Sequence, residues 1–529
     1  MLRCLLSALV VAGLLTLGLS GAGGGPPVPD SVGRIDNPSC IDARALSARI
    51  DELIGLRLAK EEIPPAPLAD DAEFFRRLSL DLNGRIPAIT QLADFLDDRR
   101  SDKRRALIDE LMDGPDNAPL YVQHFTLFWR RQLLAQTTVR TEAVVASLEG
   151  WLRRQIAANT PYDRLVRGLL TDENAAAFYI ANESKAENLA SRTSRLLLGV
   201  KLECAQCHDD RSGGNWKRTQ FWEYAAFFTG LRDEQGNPVH VMAPRPQNAG
   251  PARIRVGSLN TWVETRFPDG RTPDWRPAIT PREALAEWIA RGDNPWFARA
   301  AVNRLWHYFL GVGLIDPVDG LGTEDNPASH PELLDELVRQ FVAHDFDLKF
   351  LIRAITGSRT YQRSSRLTHP RQAEQRRFAR AASRALTPEQ LYDSLVLATG
   401  YRPDPARGAA SEPFQAGSPR AVFLAPFDDP SRQPVDFQAS IQQALMMMNG
   451  QFAAEATSSS RSATVAAVIE SNRPVARRIE ELYLVTLSRQ PRPEETRRLL
   501  EYARTRESKQ ALRDILWSLL NSTEFVLNH

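Results

Sequence analysis

The sequence predicts a mostly α-helical protein: two helical domains joined by a Pro/Gly-rich segment with a small β-hairpin. Three observations carry this. At 529 residues the chain outgrows a single hydrophobic core and should divide into two or three domains. Apolar residues recur every three or four positions through most of both halves, which places them on one face of a helix. Between about 231 and 280, by contrast, proline and glycine punctuate the chain and short alternating runs appear. The expected organisation is a signal segment over 1–22, a helical domain over 42–230, a linker with short strands over 231–280 and a helical domain over 281–529. The net charge of +1 gives no bulk electrostatic reason to expect nucleic acid or an anionic membrane as partner.

The opening residues carry a compartment signal. Met1-Leu2-Arg3 is a short basic start, Cys4 to Leu19 is apolar, and Ser20-Gly21-Ala22 is a small-residue cleavage site. This predicts export to the periplasm or the cell surface. An uncleaved anchor is the alternative, although the run is shorter than the roughly 20 residues that span a bilayer. Cys4 precedes the apolar run, where a lipidated cysteine would not sit. No other segment is apolar enough to cross, so no integral span is expected after cleavage.

Within the N-terminal domain, Phe74, Leu78 and Leu82 mark a buried helical stripe that Asn83-Gly84 and Pro87 end. Ser101 is expected to cap a helix through SDKRRALIDELMDG. Further amphipathic runs cover 121–136, 142–158 and 187–200, the last leading straight into CAQCH. Trp222 to Phe228 is aromatic and helix-compatible. The hairpin is expected from Arg253 to Val256 and from Trp262 to Thr265. Helices then resume at Pro281, with a stripe of Phe297, Ala301, Leu305 and Phe309 stopped by Gly311. Ser329-His330-Pro331-Glu332 reads as a capping box opening the next helix. A loop over 404–419 precedes helical runs at 440–448, 475–487 and 510–525.

Cys204-Ala205-Gln206-Cys207-His208 is where residue type and spacing converge on a chemistry. Two thiols three positions apart, followed at once by histidine, form the pattern that attaches a c-type haem: the sulfurs take the porphyrin vinyl groups and the imidazole ligates the iron. A Cys204–Cys207 disulfide and another metal or redox use stay open. Zinc wants a closed set of four ligands, and beyond this motif the mature chain offers only Cys40 as a further sulfur. A thioredoxin-like use expects a βαβ setting, whereas these surroundings are helical.

The remaining chemistry-bearing residues have structural readings. Met446, Met447 and Met448 are candidates for a sixth iron ligand, but three consecutive methionines point in three directions and read as core. His330 reads as a helix-start residue, His307 and His124 as core or boundary histidines, and Ser329, His330 and Asp335 lie too close on one helix to be read as a catalytic triad. Trp222, Trp296 and Trp306 read as core aromatics, any of which is large enough to pack on a porphyrin. Asp97-Asp98, Asp209-Asp210 and Asp428-Asp429 read as solvated turns. No phosphate-cradling glycine loop and no HExxH zinc motif appears, so the chain names no substrate.

With these residues in view, the chain resembles the paired cytochrome-like domains of planctomycete exported proteins of unknown function, a PSCyt-type N-terminal domain followed by a PSD-type C-terminal domain. The N-terminal likeness rests on FFRRLSLDLNGRIP, SRLLLGVKLECAQCHDD and FWEYAAFFTG. The C-terminal likeness rests on NPWFARAAVNRLWHYFLGVGLIDPVDGLG, NPASHPELLDELVRQFV, SRTYQRSS, QALMMMNG and LLNSTEFVLNH. The resemblance implies a haem on Cys204, Cys207 and His208. Relatives commonly continue the motif as Cys-His-Asp-His-Pro-Phe, whereas this chain has Asp210-Arg211 after Asp209, so a second histidine is missing.

The expectation is therefore an exported protein with covalent haem c, serving electron transfer or another redox role with an unidentified partner. Two other readings stand beside it. One is a cell-surface binding or scaffold protein with a structural Cys204–Cys207 pair and no haem; the other is an extracellular enzyme of unspecified substrate.

Overall fold

The structure is a computed structural model that describes residues 40–134, 141–210, 214–231, 251–256, 260–277, 279–323, 325–402, 418–427 and 461–529. The expected signal segment, the loop over 404–419 beyond its last two residues, and the 440–448 run lie outside these residues. The fold is mostly helical, with two small antiparallel pairs of strands among the described residues. Two compact units interleave along the sequence: residues 1–57 with 129–358, and 58–128 with 359–529.

The first unit takes its core from aromatic side chains spaced along its helices. Tyr162 stacks between Trp129 at 5.4 Å and Phe297 at 5.1 Å between ring centres. Phe267 lies parallel between Phe227 and Trp288, at 5.2 and 4.8 Å. The predicted hairpin forms as Arg253–Val256 paired with Thr261–Glu264, one residue earlier in its second strand than the alternation suggested. Thr280 caps the Pro281–Ile289 helix by a reciprocal bond pair with Glu283, and Gly311, at φ +82°, ends the Phe297–Leu310 helix as expected.

The expected capping box at Ser329 does not form. His330 occupies the N-cap position of the Pro331–Ala343 helix without a side-chain cap, because the Ser329 hydroxyl faces His330 Nδ1 at 3.1 Å instead. Ser101 likewise caps nothing. The helix runs Lys103–Asp113, behind a turn held by Lys103 Nζ donating to the Phe95 and Asp98 carbonyls.

The second unit is built around the Asp71–Asn83 helix, which Asp70 caps through the Glu73 N–H and Gly84 ends at φ +71°. Its apolar core gathers Leu80, Leu391, Leu395, Ile479, Leu482, Leu512, Ile515 and Phe525. The stripe of Phe74, Leu78 and Leu82 is buried as predicted, but so are three ionisable neighbours, Arg76, Arg77 and Asp81. Arg76 donates to the carbonyls of Thr486, Glu524 and Phe525, and Arg77 to those of Tyr361, Arg363 and His529. These two side chains satisfy backbone carbonyls that would otherwise be buried without donors.

Arg489 forms a second polar anchor in this unit, donating bidentately to both Glu495 (2.8 and 2.9 Å) and Glu524 (2.5 and 2.8 Å). The guanidinium holds the Glu495 carboxyl below its usual range; at Glu524 burial pushes the other way, and Arg489 outweighs it. A carboxylate whose pKa is lower folded than unfolded contributes stability that is present above its unfolded value of 4.5 and lost as pH falls toward the folded one. The melting temperature is therefore expected to drop between about pH 5 and pH 3, and Arg489→Met to flatten part of that drop. Thermal melts across this range, wild type against variant, check it.

Candidate functional site

The CAQCH motif lies in the first unit, at the end of a helix that changes its winding. The predicted 187–200 helix is α-helical over Ala186–Thr193, continues as one wide π turn over Ser194–Leu198, and stops at Gly199 at φ +66°. A Cβ on Gly199 would come within 2.8 Å of Leu321 Cδ1, so both conformation and space call for glycine. A π turn leaves carbonyls without their usual partners. Buried Arg304 supplies donors, reaching the Arg195 and Leu196 carbonyls at 3.2 Å each, while its other branch donates to Gln132 Oε1 at 3.1 Å.

From Gly199 the chain enters a 3-10 turn, Leu202–Ala205, that carries Cys204. Salt bridges fix this turn to the π turn. Arg195 pairs with Glu203, and Arg195 and Lys201 both pair with Asp319, at 3.1 and 3.2 Å. Ala205 is buried between the two cysteines, so the thiols turn outward: Cys204, Cys207 and His208 are all exposed, and neither sulfur is in a disulfide.

The far side of the motif is fastened to the Arg218–Ala225 helix. The Gln206 carbonyl accepts from Trp222 Nε1 at 3.1 Å and from Arg218 Nε at 3.3 Å. Asp209 Oδ1 accepts the Arg218 backbone N–H at 2.9 Å, and the Asp210 N–H donates to the Trp216 carbonyl at 2.8 Å. That backbone bond, joined by Lys217, holds the Asp209 carboxyl below its usual range. Asp209 thus anchors the loop that follows the motif.

His208 Nδ1 lies 2.8 Å from the Asp209 carbonyl oxygen. A carbonyl oxygen only accepts, so this contact places a proton on Nδ1; in the neutral tautomer that makes it, the lone pair stands on Nε2. The arrangement is two accessible thiols, three positions apart, followed by an imidazole that the backbone orients through one nitrogen.

The other sequence candidates go elsewhere. Met446, Met447, Met448 and Asp428-Asp429 lie outside the described residues. Asp335 binds Arg299 at 2.5 Å, so Ser329, His330 and Asp335 form no relay. Trp296 and Trp306 are buried core residues, Trp216 and Trp296 lie 6.2 Å apart, and Asp98 pairs with Arg100. Trp222 touches the motif, its indole N–H donating to the Gln206 carbonyl. Cys40 faces His344 Nε2 at 3.2 Å. The positioning residues Arg195, Arg304 and Asp319 escaped sequence reading; the one signal for Arg304 is a cation on the apolar stripe of FARAAVNRLWHYFL. Among the described residues no three His, Cys, Asp or Glu side chains stand together as a metal site, and no helix is long and apolar enough to cross a membrane.

Comparison with known proteins places two family models on the chain. Residues 49–233 match PSCyt2, described as a protein of unknown function, and residues 281–422 and 414–503 match PSD1, also described as a protein of unknown function. The motif and its anchoring helix fall inside the first match. No curated protein and no solved structure matches the chain.

Proposed function

Because the chain belongs to the two-domain family that pairs a PSCyt domain with a PSD domain, we propose that it is an exported protein carrying one covalent c-type haem on Cys204, Cys207 and His208. The observation that supports this most is the Nδ1 contact of His208 with the Asp209 carbonyl, which leaves Nε2 as the ligating atom beside two accessible, unbonded thiols. The donor set fits the group. The haem would supply one-electron redox chemistry at its iron.

The chain's own residues have separable tasks in this reading. Cys204 and Cys207 tether, and His208 ligates. The Asp209 carbonyl sets the imidazole tautomer and ring orientation, a role that raises ligand basicity. Trp222 and Arg218 hold the Gln206 carbonyl, which keeps the two cysteines at fixed separation during attachment. Exposure of the motif suits exchange of electrons with a second protein, the unidentified redox partner.

Removing the imidazole separates tethering from ligation. In protein matured with a haem-attachment system, His208→Ala is expected to keep the thioether-bound haem but shift the Soret band and the reduction potential. Absorption spectra and a redox titration check this; a spectrum identical to wild type would remove His208 from the role.

A further inference from the structure

Residues 359–384 of the second unit hold eight arginines and one acid, Glu374, in a chain whose net charge is only +1. The bulk balance therefore hides a local excess of cations. We propose that the exposed part of this segment, the turn around Arg366 and Leu367, docks on an anionic phospholipid surface. This goes beyond the haem reading, whose motif lies in the first unit.

The turn is held from within by Gln372, which is buried. Its Oε1 accepts the Thr368 and His369 backbone N–H groups at 2.9 and 3.1 Å, and its Nε2 donates to the Pro64 carbonyl at 2.8 Å. Arg380 ties the two sides together, donating to the Ser365 carbonyl at 3.0 Å and the Gln372 carbonyl at 3.2 Å. On this braced turn Leu367 stands 57% exposed. Beside it, Arg366 is exposed, and its guanidinium has no partner among the described residues.

The charge around the turn is one-sided. Lys60, Arg366, Arg371, Arg376, Arg377 and Arg380 stand with three acids, Glu61, Glu62 and Glu374. Arg377 pairs with Glu61 at 2.7 Å, and Arg371 reaches Glu62 at 3.5 Å with both side chains exposed, a geometry that contributes little. Arg380 is engaged by backbone carbonyls, which leave its charge uncancelled.

The residue types favour a bilayer over the other anionic partners. Anionic lipid attracts clustered basic residues, at about fivefold in binding per charge. An exposed leucine among them adds to this by entering the headgroup boundary. Protein interfaces centre on Trp and Tyr and make little use of Leu, and nucleic-acid bases stack on aromatic rings. The two aromatic rings of this segment, Tyr361 and Phe378, are both buried, so it offers neither of those partners a platform.

Co-sedimentation of the full mature chain with vesicles tests this, using phosphatidylcholine alone and phosphatidylcholine mixed with phosphatidylglycerol, with soluble polyglutamate as an acidic polypeptide probe. Binding is expected to the mixed vesicles only, and to fall about tenfold or more between low and high salt. Arg366→Glu, a change of two charges, is expected to weaken it about tenfold or more, and Leu367→Ser by about threefold. Both positions are exposed, and circular dichroism checks that both variants fold. No binding to the mixed vesicles, equal binding to phosphatidylcholine alone, binding that Arg366→Glu leaves unchanged, or tighter binding to polyglutamate than to vesicles would overturn the proposal.

Discussion

Replacing Asp81 by alanine is expected to destabilise the second unit by about 3–5 kcal/mol. The carboxylate is 1% exposed and accepts four hydrogen bonds: from Tyr361 Oη at 2.8 Å, from Arg384 at 2.9 Å to each oxygen, and from Asn528 Nδ2 at 2.7 Å. Burial pushes its carboxyl pKa up while Arg384 and Tyr361 pull it down, so the ion is tolerated only because its partners are in place. Alanine removes the acceptor and leaves a guanidinium, a phenol and an amide facing each other. Asp81→Asn keeps the shape and one acceptor oxygen, so its loss should be smaller. Urea unfolding monitored by tryptophan fluorescence and circular dichroism separates the cases; an alanine variant within about 1 kcal/mol of wild type would mean that water replaces the carboxylate.

Arg304→Ala should have the second largest effect, about 3 kcal/mol, with a local signature in the first unit. It strips donors from the Arg195 and Leu196 carbonyls and from Gln132. The π turn that launches the motif then has buried carbonyls without partners, and the cheapest relief is to open toward water. Amide exchange over 194–208 should quicken more than exchange elsewhere in that unit. Arg304→Lys keeps the charge but not the forked geometry and should fall between. Uniform exchange across the unit would show that Arg304 supports packing in general rather than this turn.

These two residues mark the boundary of what the chain reveals by itself. Helix positions were legible wherever a local signal decided them. Val475–Leu487 reads correctly at both ends, because Pro474 precedes it and the periodic stripe stops at Ser488, which takes φ +60°. The stripe of Phe74, Leu78 and Leu82 and the stops at Gly84 and Gly311 follow in the same way. Asp81 was not legible, since its partners stand 280 to 447 residues away and a lone acid between leucines looks like a solvated position. The Ser101 and Ser329 caps failed for a related reason: a serine before a helix forms a cap only if no other group engages that turn.

At the site, sequence alone picked out Cys204, Cys207 and His208, because spacing is itself the signal. It could not foresee which imidazole nitrogen would be turned to the backbone, since that depends on how the Asp209 loop closes on the Arg218–Ala225 helix.

The most direct measurement of the central claim is the intact mass of the mature protein after co-expression with haem-maturation machinery, paired with its pyridine haemochrome spectrum. The account expects a gain of one haem that withstands denaturation, a haemochrome of the two-thioether type, and loss of the gain when Cys204 and Cys207 are both replaced by serine. A mature chain at its polypeptide mass, with no haemochrome, would contradict it.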